Sequence, residues 1–253
     1  MKKIVVLLIL TLAIKGHAQF AKSIFSKDPI INLENFQKQR VYFGFYLGFN
    51  SYDFKIDYNK FDPDPDHLRQ DILIKKSTGF NVGLVADLRL QEYVSLRFEP
   101  GLYNTKRDLQ YPDSYFIKTT LPVFPNPSDQ LREVNSTYLH FPLLLKFLAL
   151  RTGNIRPYVL GGVSATLNLS SNSKSVDDNS DGNKNFRVKP WTSNYEAGFG
   201  IDIFSEYFIF SPSIRGIFGL NDELIRDKNH DSPWTGNIES MKTRAVFVNF
   251  TFH

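Results

Sequence analysis

Between residues 41 and 50 the chain alternates strictly. Val41, Phe43, Phe45, Leu47 and Phe49 take one parity; Tyr42, Gly44, Tyr46, Gly48 and Asn50 take the other. A period of two with one apolar face marks a strand whose two sides meet different surroundings. The pattern returns seven times. Over 75–90, Phe80, Val82, Leu84, Ala86 and Leu88 oppose Asn81, Gly83, Asp87 and Arg89. From 94 onward, Val94, Leu96, Phe98 and Leu102 oppose Ser95, Arg97, Glu99, Gly101 and Thr105. Over 134–150, Leu139, Phe141, Leu143, Leu145 and Phe147 share a parity, and 155–169 sets Val159, Val163, Ala165 and Leu167 against Gly162, Ser164, Thr166 and Asn168. Similar alternation covers 190–204, 208–221 and 244–253, the last with Val246, Val248, Phe250 and Phe252 on one face.

The links between these eight segments alternate in length. Gln91–Tyr93, 151–154 and Ser205–Tyr207 are short, whereas 57–71, 108–133, 170–189 and 222–239 are long. An even strand number, with short turns on one side and long loops on the other, predicts an eight-stranded antiparallel up-and-down transmembrane β-barrel of the OmpA/OmpX kind, its turns periplasmic and its loops external. Strands of this length exceed the roughly 9–11 residues that cross a tilted bilayer, so they are expected to project above it. A soluble lipocalin-type barrel would turn its apolar face inward. The charges in mid-strand on the polar parity speak against that arrangement.

The N-terminus agrees with export. Lys2 and Lys3, an apolar run from Ile4 to Ile14, and Gly16-His17-Ala18 read as a signal peptide over 1–18. Residues 19–39 are then a periplasmic extension and 40–253 the barrel, in the outer membrane of a bacterium. The 30 Lys and Arg, less Lys2, Lys3 and Lys15, leave 27 bases against 26 acids, so the sequence pI of about 9.0 does not argue for nucleic acid. With no cysteine, no lipid anchor or disulfide framework is expected.

Chemistry is sparse, and no catalytic, cofactor-binding or metal residue is expected. Asp87, Arg89, Arg97, Glu99, Lys146, Glu196, Asp202 and Arg215 fall on the inward parity. Eight strands leave an interior just wide enough for side chains, so these charges are expected to pair as a plug, with a gate or proton path as the less favoured alternative. His140 joins them as a packed polar residue. His67, His140, His230 and His253 show no metal-type spacing. Asp177-Asp178-Asn179-Ser180-Asp181-Gly182 resembles half of a calcium loop, but Val188 stands where the bidentate glutamate belongs. In the 108–133 loop, Tyr111, Tyr115, Phe116 and Phe124 lie among prolines. They suit either a partner surface or a loop folded over the barrel mouth.

A resemblance narrows the function. Asn32-Leu-Glu-Asn-Phe36, the 41–50 strand, Leu96-Arg97-Phe98-Glu99-Pro100-Gly101-Leu102 and Tyr138-Leu139-His140-Phe141-Pro142-Leu143-Leu144-Leu145-Lys146 resemble the PorT (SprT) family, as does Phe210–Arg215. The segment 138–146 is common to small outer-membrane barrels of Bacteroidetes. That family has no assigned catalytic residues. It implies a barrel required for type IX secretion, and for gliding-adhesin export in gliding species, with other secretion components and the bilayer as partners. A generic OmpX- or OmpW-like barrel for adhesion or small-solute passage is the alternative, and an enzyme acting on lipid or peptide bonds a distant third. Ending on Phe252-His253 departs from the usual terminal aromatic of such barrels.

Overall fold

The computed structural model describes residues 31–36, 39–59, 71–112, 114–117, 130–173, 186–228 and 232–253. The signal segment 1–18, the calcium-loop resemblance at 177–182, Phe124, His67 and His230 lie outside the described residues.

The strands are β1 (Val41–Tyr58), β2 (Leu73–Lys76), β3 (Thr78–Arg89), β4 (Val94–Phe98), β5 (Gly101–Gln110), β6 (Leu131–Leu148), β7 (Ile155–Asn168), β8 (Trp191–Phe204), β9 (Ile209–Gly219) and β10 (Ile238–Phe252). A short helix, α1 (Ser114–Ile117), lies in the loop between β5 and β6. β2 and β3 form one barrel strand broken at Ser77. β4 and β5 form another broken at Glu99 and Pro100, and β3 pairs with both. Pro100 lacks an amide hydrogen, so the ladder must break there. Its carbonyl still accepts from Leu84 N at 3.0 Å. Counted this way, eight antiparallel strands form the ring, and β1 closes it by pairing with both β3 and β10. The closing register sets Leu47 against Phe250 and Phe49 against Val248. Closure leaves no open edge, a requirement where lipid cannot hydrogen-bond a free strand.

The alternation predicts which way each side chain points. Phe43, Leu84, Phe199 and Val163 are exposed, whereas Tyr46, Asp87, Glu196 and Ser164 on the opposite parity are buried. The outward residues form an apolar girdle from β1 around to β10. At 18, 18 and 15 residues, β1, β6 and β10 are longer than the roughly 9–11 residues that a tilted bilayer needs. Several boundaries move. Asp108–Gln110 and 131–133, expected in the loop, are strand, because β5 and β6 stay paired up to Gln110 and Leu131. β1 likewise continues through Asp57 and Tyr58, held by β10.

Candidate functional site

The lumen is the candidate site, and it is filled from end to end. Inward glycines make room for large side chains. A Cβ on Gly83 or Gly101 would run into the Tyr46 ring, and one on Gly200 into Tyr158. Tyr46 Oη reaches Tyr103 Oη at 3.0 Å, and Tyr52 stacks on Tyr138 at 5.2 Å between centroids. The small inward residues and the tyrosines are therefore complementary partners across the barrel.

Through this packing runs a chain of alternating charge. Arg97 grips Asp87 through Nε at 2.9 Å and Nη2 at 2.6 Å, and its Nη1 reaches Glu99 at 3.0 Å. Glu99 accepts from Arg215 at 2.8 Å. Arg215 Nε lies 3.2 Å from Glu196, which lies 2.7 Å from His140 Nε2. Neither of these last two contacts has hydrogen-bond alignment. His140 Nδ1 meets Thr166 Oγ1 at 2.9 Å. A second pair sits toward the turns, where Lys146 lies 2.8 Å from both oxygens of Asp202 and Ser211 Oγ donates to Asp202 at 2.6 Å. Seven of the eight inward charges expected from the sequence thus join two neighbouring clusters. The eighth, Arg89, is partly exposed and lines a hollow of about 30 Å³ at the turn end, beside Glu92, Arg156 and Lys146.

Both mouths are closed. At the turn end Asn32 N donates to Asn154 Oδ1 at 3.0 Å, Asn32 Nδ2 to the Phe204 carbonyl at 3.2 Å, and Arg151 Nη2 to the Asn32 carbonyl at 2.6 Å. The extension therefore crosses from the start of β1 to the β6–β7 and β8–β9 turns, with Phe36 against Tyr42 at 5.3 Å. The His253 side chain turns into the lumen against Arg97 and Asp87. Phe252 keeps the outward place of a terminal aromatic, 5.3 Å from Phe45.

At the loop end an apolar cluster of Phe54, Leu109, Tyr111, Phe116, Phe186, Val188, Leu224, Trp234 and their neighbours fills the mouth. Tyr111 and Phe116 are buried and Tyr115 is packed against them, so these three cover the barrel; Tyr111 Oη donates to the Trp234 carbonyl at 3.0 Å. Val188, at the would-be glutamate position, bridges to Leu224 inside this plug. Beneath it Arg107 lies over Phe54 at 3.8 Å and contacts Tyr138. Glu223 accepts from Thr243 N and Oγ1, both at 2.9 Å. Burial holds the Glu223 carboxyl above its usual range against the pull of Arg107. Arg107 lies on the inward parity of β5, two residues beyond Thr105, and the alternation that placed Arg97 reaches it too; Glu223 and the pair of Arg187 and Asp227, 2.9 Å apart, were not legible, since loop residues carry no parity. Among the described residues no three metal-ligating side chains converge.

A closed eight-strand ring with an apolar girdle outside and a packed polar interior defines a small barrel of the bacterial outer membrane. The chain belongs to the outer membrane protein beta-barrel domain family, whose model matches residues 23–224. It is similar to the outer membrane protein OprG from Pseudomonas aeruginosa, at 15% identity and a TM-score of 0.40, over 84% of this chain and 94% of that one. It is also similar to Ail, the attachment invasion locus protein of Yersinia pestis, solved with a heparin analogue, at 10% identity and a TM-score of 0.36, over 85% and 99%. Neisserial surface protein A follows at 8% and 0.38, over 82% and 95%. No curated protein matches the chain.

Proposed function

We propose that this barrel acts by contact and performs neither passage nor catalysis. It anchors in the outer membrane and presents its external loops and periplasmic extension to other macromolecules. The supporting observation is the filled lumen: fixed ion pairs along its length, aromatic packing at one mouth and the N-terminal segment across the other. A solute would have to break several buried charge contacts at once, each costing several kcal/mol. Purified barrel in a planar bilayer is expected to show no steady conductance. A reproducible open channel would refute the reading.

A general contact role, adhesion among them, is the form that family membership and fold support. The resemblance of 32–36, 41–50 and 210–215 to the PorT family favours a narrower form, an accessory component of type IX secretion joined to other secretion subunits. Pull-down from native membranes tests that form, together with cargo export in a clean gene deletion. Recovery of secretion subunits and lost export are expected, and normal export without the gene would remove the assignment.

A further inference from the structure

The outer face of the barrel above the apolar girdle carries charged rows, and most of them neutralise themselves. Between β5 and β6, Lys106 lies 3.0 Å from Glu133 and 3.6 Å from Asp108. The β1–β10 seam does not. Its register puts Asp53 opposite Arg244 and Lys55 opposite Lys242, directly above the apolar pair Phe49–Val248 and the mixed pair Ser51–Val246. Lys55 faces Lys242 across the seam, and like charges in that position repel.

The two carboxylates at hand are already taken. Asp53 is 2.7 Å from Lys76, and Asp57 is 3.1 Å from Lys55 while accepting from Ser240 Oγ at 3.0 Å. Glu239, beyond the register shift at Asp57 and Tyr58, pairs with neither remaining base. Among the described residues Asp57 is thus shared by Lys55 and Lys242, and Asp53 by Lys76 and the facing Arg244, so each carboxylate serves two bases. The seam offers Lys55, Lys76, Lys242 and Arg244 against two carboxylates, next along the strands from the outward Phe49, Val246 and Val248. Because the long loops lie at this end, the leaflet is the outer one.

We propose that the β1–β10 seam binds a phosphate of an outer-leaflet glycolipid. Arg244 and Lys242 are the principal donors and Lys55 completes the cradle, while the acyl chains lie along Phe49, Val248 and Val246. The anion relieves the opposed lysines, and the apolar rows beneath select a lipid over a free phosphate.

Native mass spectrometry of the full barrel released from detergent tests this, with bisphosphorylated lipid A, its dephosphorylated form and inorganic phosphate as probes. Wild type is expected to retain one bisphosphorylated lipid, to lose it with the dephosphorylated form, and to resist competition by inorganic phosphate. Lys242→Gln with Arg244→Gln should cut retention by about tenfold or more, since each base near an anionic surface contributes a factor of several. Lys242→Arg with Arg244→Lys should restore it. Equal retention of the dephosphorylated lipid by wild type would overturn the proposal without any variant. So would undiminished retention in the folded double variant, and displacement by equimolar inorganic phosphate would overturn the lipid as source.

Discussion

The two halves of the lumen are filled by different means. In the half nearer the turns, Asp87, Arg97, Glu99, Arg215 and Glu196 meet, and every partner lies in a strand or, for Glu99, at the break between β4 and β5. In the half nearer the loops, residues from the loops join those of the strands in the filling. Tyr111, Phe116, Phe186, Leu224 and Trp234 fold back into the mouth from three different loops. Where strands alone surround the space, their parity decides what enters it. Where loops can reach it, apolar burial does, because water outside makes an apolar plug favourable. The first half is specific but costly to disturb; the second is tolerant and able to open locally.

That contrast predicts a graded set of responses. Arg97→Ala strips Asp87 and Glu99 of their shared cation inside a closed lumen and should cost about 3–5 kcal/mol. Urea unfolding in lipid vesicles, followed by heat-modifiable gel migration, would measure it. A loss within error of zero would mean that water enters and screens the pair. Phe250→Arg tests the outer face against the inner. A base near the midplane costs roughly 2–4 kcal/mol, whereas a wild-type yield of inserted barrel would show the lipid-facing parity to be wrong. Trp234→Ala should leave global unfolding nearly unchanged while speeding hydrogen exchange at 222–238, because the plug opens as a local unit.

Acid should act on the loop end with a definite sign. The Glu223 carboxyl is raised above 4.5 by burial, so the folded plug binds the extra proton and gains stability as pH falls toward 4.5. Protection factors of the plug amides should therefore rise on acidification from pH 7 to 5. Glu223→Gln should flatten the response of the plug alone, the smallest of these effects.

Much of this could be read from the chain directly. Strict alternation in 41–50 and its seven repeats, with links alternately short and long, determine strand number, direction and which side chains meet lipid. A strand offers just two faces, and lipid accepts one kind of residue. The inward charges followed from the same parity. Tertiary structure decided which of them touch: Glu99 reaches Arg215, more than a hundred residues away, while Arg89, two residues from Asp87, falls at the rim instead of in the chain of ion pairs. The fate of the loop aromatics also lay beyond pattern. Tyr111 and Phe116 suit a partner surface or a plug equally well until Trp234 and Leu224 are seen to arrive from the far end of the chain. Alternation is a local property carried by every strand, whereas pairing across a barrel depends on closure. Closure brings β1 to β10 and sets Lys55 opposite Lys242, which no stretch of sequence shows by itself.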